Sequence, residues 1–189
     1  MQGVGKAVGQ LSLADGFLGN PQVRIPLPPS MERAEKVLRD MGMGTYADEL
    51  VTTMNRAAES AVVEAKPILL AGIKKLTLAD AKAILTGAED SATQYFRQNS
   101  GEAIIQKFLP KVKAATGRVQ LIEDYNRFAG PAVQFGLIDK QDADLNQYIT
   151  RKAVDGLFLM IAQQEKAIRA DPVGQTSRLL QKVFGSLLK

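Results

Sequence analysis

The sequence predicts an all-α protein: a single bundle of about seven to eight helices with an N-terminal, proline-rich extended strap. Three observations carry that expectation. Residues 145–169 read as one long amphipathic helix, and residues 46–65 hold a second apolar stripe at helical spacing. Upstream of both, residues 21–29 (PQVRIPLPP) contain four prolines, which no helix interior tolerates. No sustained two-residue alternation appears elsewhere, so no sheet of any size is expected.

The segment 145–169 would span roughly 37 Å at about 1.5 Å per residue. Ile149, Ala153, Val154, Leu157, Phe158, Met160, Ile161 and Ile168 share one broad arc, with Arg151, Lys152, Asp155, Gln163, Lys166 and Arg169 opposite. So wide an apolar arc needs several neighbours. Asp142 and Asp144 supply an acidic start, and Asp171-Pro172 a stop. In 46–65 the stripe is Tyr46, Leu50, Met54, Ala57, Ala58, Ala61, Val62 and Ala65, with Asp48, Thr52, Asn55, Arg56, Glu59 and Ser60 opposite. Its alanines allow a close approach. The expected partner is 145–169, with Gly156 on the near edge.

The remaining elements follow in order. Residues 2–13 read as a helix weakened by Gly3, Gly5 and Gly9, each costing roughly 1 kcal/mol relative to Ala. Turns follow at 15–16 and 19–21. In the strap, Val23, Ile25 and Leu27 alternate, so one side should lie packed across the helices. Ser30 is expected to cap a helix over 31–40 that ends at Gly42 and Gly44. Thr45 and Asp48 suggest an approximate capping box, and Pro67 a kink. Thr77 and Asp80 form a second box, opening a helix that stops at Thr86-Gly87. Short helices are expected over 90–98, from Ser100-Gly101 with an interruption at Pro110, and over 118–128 with an end at Gly130-Pro131. Residues 131–141 are open between a helical turn and a strap. A last helix is expected from Thr176 or Ser177, carrying Leu179, Leu180, Val183 and Phe184. All 189 residues are read as one domain, with 1–29 a helix remnant plus a strap packed on it.

Composition narrows the chemistry. The chain has no His and no Cys. That removes imidazole bases, thiolate nucleophiles, His- or Cys-based metal sites and disulfides. Net charge is only +4, aromatics are 6% and Trp is absent. A nucleic-acid interface is therefore not expected. Lys107, Lys111, Lys113 and Arg118 make a basic patch, but the adjoining apolar stripe is short and broken, so membrane-surface contact is not expected either. No run of about 18 apolar residues occurs. Met1-Gln2-Gly3 enters an amphipathic stretch directly, as though an upstream leader had been removed. Phosphate loops, dinucleotide fingerprints and calcium loops are absent from the sequence. No cofactor and no metal is expected.

Several stretches carry a resemblance: DGFLGNPQVRIPLP (15–28), MNRAAE (54–59), EAKPI (64–68), DAKAILTG (80–87), ATQYFR (92–97), YITRKAVDGLFLMIAQQEKAIRADP (148–172) and TSRLLQKVFG (176–185). Taken in order they resemble the bacterial helical proteins grouped as domain of unknown function 4197. The resemblance implies an exported protein of the periplasm or cell envelope. It implies no activity.

The functional expectation is a non-catalytic binding domain for an apolar or amphipathic ligand, or for an envelope partner protein. The ligand would sit between 46–65 and 145–169. Candidate contacts are Met54, Asn55, Arg56, Glu59, Tyr95, Arg97, Lys152, Asp155 and Met160. Asn55 and Glu59 are four apart, as are Arg151 and Asp155, and both pairs are first read as solvated surface. A scaffold without a ligand, or an enzyme built on a carboxylate pair or on Lys66 or Lys152, are the alternatives.

Overall fold

The computed structural model describes residues 2–117, 119–136, 139–140 and 142–171, and every regular element among them is helical. Helix α1 (Gln2–Leu11) forms in spite of its glycines, because Val4, Ala7, Val8 and Leu11 bury its inner side. The strap follows, then a 3-10 turn (Pro29–Met31) and α2 (Glu32–Asp40). Helix α3 (Gly44–Ala61) passes through a 3-10 turn (Val62–Glu64) into α4 (Ala65–Lys74). Then come α5 (Leu78–Thr86), α6 (Ser91–Thr116), α7 (Gln120–Gln134) and α8 (Leu145–Ala170). The helix expected from Thr176 or Ser177 lies outside the described residues.

Helix α8 has the expected polarity. Ile149, Ala153, Leu157 and Phe158 are almost wholly buried, and Asp144 caps the start by accepting from the Asn146 and Gln147 amides. The Thr77–Asp80 box at the start of α5 is present in both directions. Other boundaries differ from expectation. Ser30 caps nothing; its hydroxyl meets the Tyr125 hydroxyl at 2.9 Å. Asp48 is drawn instead to Arg39, at 2.7 Å, and α3 starts without a side-chain cap. The break after α3 falls at Val62–Glu64 rather than at Pro67. A proline cannot donate to the carbonyl four residues back, so the hydrogen-bond pattern tightens one turn upstream of it.

The larger correction is α6. The pieces expected over 90–98 and after 100 are one helix of 26 residues that runs through Gly101 and Pro110. Pro110 and Gln106 both face solvent, so water can satisfy the carbonyl that the proline leaves unpaired. On the other side Ile104, Phe108 and Val112 are fully buried. Each contributes roughly 1.5–3 kcal/mol, enough together to offset about 3 kcal/mol for an interior proline. The same reasoning covers α7, which continues past Gly130-Pro131 with Arg127 and Pro131 on its exposed side and Ala129 buried. Being as long as α8, α6 becomes the central neighbour: it packs more heavily on α8 and on α3 than those two pack on each other. The direct α3–α8 pairing expected from the sequence is thus secondary.

The start of α6 shows how the bundle is tied. Asp90 precedes it but makes no side-chain cap. Glu165 on α8 does that work across the interface, accepting from the Ala92 amide (3.0 Å), the Thr93 amide (2.8 Å) and the Thr93 hydroxyl (2.7 Å). Arg169 holds the carboxylate at 2.8 Å and reaches the Ile84 carbonyl at the end of α5. Burial alone would raise the Glu165 carboxyl. The hydrogen bonds from Thr93, Arg169 and the two amides outweigh it and hold the group below its ordinary value of 4.5.

Gly156 corrects a further expectation. A Cβ there would meet Phe17 Cε1 at 3.0 Å and Val23 Cβ at 3.1 Å, so its missing side chain admits the strap and the preceding turn, not α3.

Two outcomes follow from these contacts. Gly156→Ala gains about 1 kcal/mol of helix propensity but intrudes on buried Phe17 and Val23, where overpacking costs roughly 1–3 kcal/mol. Urea unfolding should show a net loss of stability; a gain would mean that the strap yields freely. For Glu165, a carboxyl depressed in the folded state stabilises above its unfolded value of 4.5 and loses that contribution as pH falls through the folded value. Glu165→Gln should lower stability at neutral pH and flatten the loss seen on titrating to roughly pH 3. An unchanged acid limb would show that the charge of Glu165 is immaterial.

Candidate functional site

The strap is extended and has no neighbouring strand, so its backbone polar groups need side-chain partners. Helix α3 provides them. Asn55 is fully buried; its Oδ1 accepts from the Ile25 amide at 2.9 Å, and its Nδ2 donates to the Ile25 carbonyl at 2.9 Å and to the Val51 carbonyl at 2.8 Å. Glu59 is 5% exposed and accepts from the Phe17 and Leu18 amides at 3.1 and 3.2 Å. Arg56 pairs with Glu59 at 2.7 Å and with Asp15 at 2.8 Å; these two carboxylates, Glu59 first, raise its pKa. The solvated surface expected for Asn55 and Glu59 is therefore wrong. They are polar because the strap that covers them is backbone. Val23, Ile25 and Leu27 pack inward as their alternation predicts, and the Tyr148 hydroxyl donates to the Pro26 carbonyl at 3.2 Å.

The other candidates separate into three places. Met54 is fully buried and Met160 is 8% exposed; both belong to the core, and Met160 Sδ accepts from Asn20 Nδ2 at 3.9 Å. Tyr95 stands on α6 edge-on to Phe96, with centroids 5.4 Å apart, and its hydroxyl lies 3.4 Å from Asp80. Arg97, Lys152 and Asp155 come together. Asp155 bonds Arg97 across the α6–α8 interface at 2.7 Å, where the sequence had suggested Arg151 as its partner. The Arg97 guanidinium lies 4.8 Å above the Phe158 ring, and Lys152 Nζ is 5.6 Å from the Tyr148 ring centre.

Two adjoining clefts share Lys152 and Asp155. One, of about 410 Å³, has the strap as one wall and Arg97, Gly156 and Leu159 as the other. The second, of about 580 Å³, continues past Tyr148 to Asp139, Lys140 and Asp142. Burial first, and then Asp142, push the Tyr148 hydroxyl up to about 12, so it remains a neutral donor to the strap. Among the described residues, Arg24 and Lys152 have no carboxylate within ion-pair distance; Asp48 reaches Arg24 only through space. Besides Lys140, which lines the larger cleft together with Asp139 and Asp142, the pair of clefts thus offers Arg24 and Lys152 as cations without a carboxylate partner beside an aromatic-backed ion pair. Arg24 is one of the polar positions in the family-like stretches, and the strap's alternation places it: with Val23 and Ile25 inward, Arg24 faces out. Tyr148 gives no such signal, because nothing local shows that its hydroxyl will meet the strap's Pro26 carbonyl.

Among the described residues, no group of three or more potential ligands could hold a metal ion, and no helix is long and apolar enough to cross a membrane.

Replacing Asn55 tests the strap's dependence on α3. Asn55→Ala leaves the buried Ile25 amide and carbonyl unpaired, at roughly 1–3 kcal/mol for each group. Expected are a stability loss on the order of 2–4 kcal/mol and faster tryptic cleavage after Arg24. Wild-type stability with unchanged cleavage would show that water replaces Asn55 at no cost.

No curated protein and no solved structure matches the chain. A family model described as "Protein of unknown function (DUF4197)" matches residues 1–185. That match covers nearly the whole sequence and agrees with the resemblance carried by its strap, α3 and α8 segments: the chain belongs to the DUF4197 family.

Proposed function

We propose that this protein is a non-catalytic binding domain of the bacterial cell envelope that takes an acidic group of its ligand or partner in the strap cleft. The observation that supports this most directly is that Arg24 and Lys152, two cations without carboxylate partners, line the same cleft as the Arg97–Asp155 pair. Arg97 is already oriented by Asp155 and by the Phe158 face, so a bound anion would meet a preorganised donor at little entropic cost. Leu159, 41% exposed on the same wall, gives the ligand's apolar part a place to rest. The envelope assignment rests on the family resemblance alone. The non-catalytic reading draws on a sequence without His or Cys and on a cleft whose Asp155 is engaged in an ion pair.

A scaffold role is the second reading, favoured by one observation. Every fully buried side-chain polar atom among the described residues is hydrogen-bonded, as in a domain built to be rigid.

Native mass spectrometry of protein purified from its own envelope separates the two. The binding reading expects a co-purifying anionic species that is lost in the Arg24→Glu, Lys152→Glu double variant. Both side chains are exposed, so the fold should survive the change. A wild-type spectrum with no adduct, or an adduct that the double variant retains, would leave the scaffold reading standing.

A further inference from the structure

The cleft between α4 and α6 is a separate place, about 810 Å³ in volume; its α6 residues flank Arg97 in sequence, but it shares no lining residue with the clefts at Arg97's ion pair. Its walls are Ile68, Ala71 and Gly72 on α4 and Tyr95, Ser100 and Ala103 on α6. Ser100 is 4% exposed, yet its hydroxyl has no hydrogen-bond partner among the described residues. Every fully buried side-chain polar atom among the described residues is bonded, so the Ser100 oxygen is not sealed in: it opens on the cleft and is free to take a partner there. Gly72 keeps it accessible: a Cβ at that position would stand 3.2 Å from Ser100 Oγ. At the rims stand Lys75 and Lys107, neither with a carboxylate within ion-pair distance among the described residues. Glu64, the carboxylate that lines the cleft, is engaged by Lys111 at 3.1 Å. Asn99 donates to the Tyr95 carbonyl and keeps its own oxygen free.

We propose that this cleft binds an amphipathic monoanion of small-molecule size, its hydrocarbon along Ile68, Ala71 and Ala103, and its acidic head taken by Lys75, Lys107 and the Ser100 hydroxyl. The volume lies within the range of small-molecule pockets, roughly 300–1,000 Å³. An apolar floor with a few convergent donors is the chemistry that holds such a ligand. An anionic membrane surface carries the same acidic chemistry, and the test separates it from a free amphiphile held in the cleft.

Titration calorimetry of the full chain with sodium dodecanoate, against dodecanol as its uncharged analogue, reads the interaction. Dodecanoate should bind and dodecanol should bind at least tenfold more weakly. Ser100→Ala should weaken dodecanoate about tenfold, the size expected for a hydrogen bond to a charged group. Lys75→Glu with Lys107→Glu should abolish dodecanoate binding. Ala103→Leu is a second blocking variant that leaves every charge in place; Ala103 is exposed on α6, so the fold is safe and only the cleft is filled. The Arg24→Glu, Lys152→Glu protein should bind dodecanoate like wild type, since the two sites share no residue. Equal binding of dodecanol and dodecanoate, or indifference to Ser100→Ala and Ala103→Leu, would overturn the proposal. So would binding confined to phosphatidylglycerol vesicles, which would make the lysines a membrane-facing patch.

Discussion

The architecture depends on two buried polar side chains that serve a stretch of backbone. An all-helical protein has no sheet edge to offer an extended segment, so a strap crossing the bundle must find its hydrogen bonds elsewhere or leave them unmade. Asn55 supplies both a donor and an acceptor to Ile25, and Glu59 collects the two amides of the preceding turn. Neither task can be done by an apolar residue. Once they are done, Val23, Ile25, Leu27 and Phe17 can be buried without stranding the peptide groups between them. Gly156 completes the arrangement from the other side by leaving α8 flat where the turn and strap press on it.

That constraint explains which parts of the molecule could be read in advance. Helix α8 was legible because its wide apolar arc has one interpretation, and the Thr77–Asp80 box because its signature is local. Asn55 and Glu59 were misread because a helical wheel divides residues into apolar and polar, then equates polar with wet. The wheel cannot see that a distant strap will arrive and make a polar face interior. Helix α6 reads as separate pieces for a related reason. Gly101 and Pro110 are local breakers, while the burial that overrides them, at Ile104, Phe108 and Val112, comes from helices elsewhere in the chain. The cap on α6 is likewise invisible locally, since Glu165 is more than seventy residues away from the amides it accepts from.

The candidate sites divide in the same way. Arg97, Lys152 and Asp155 were singled out as polar positions on separate segments, and the fold brings them together because α6 and α8 lie side by side. Met54 and Met160, expected as ligand contacts, are core. Ser100 reads locally as half of a helix start. Its meaning appears only with α4 in place, where Gly72 leaves its hydroxyl uncovered.

The strap also links stability to the proposed binding. It is a wall of the Arg24–Lys152 cleft and, through Asn55, part of the folded core. A ligand that bridges Arg24 on the strap to Lys152 on α8 would bind only while the strap is docked. It would therefore hold the strap down by mass action, by about 2.7 kcal/mol at a hundred times its dissociation constant. That figure is comparable to the estimated cost of losing Asn55, so occupancy of the cleft and the Asn55 hydrogen bonds act on the same equilibrium with similar weight. The cleft between α4 and α6 has no such coupling, because the strap forms none of its walls. One site would report on the strap and the other would not. This difference gives the two clefts distinguishable behaviour even if both accept an acidic head.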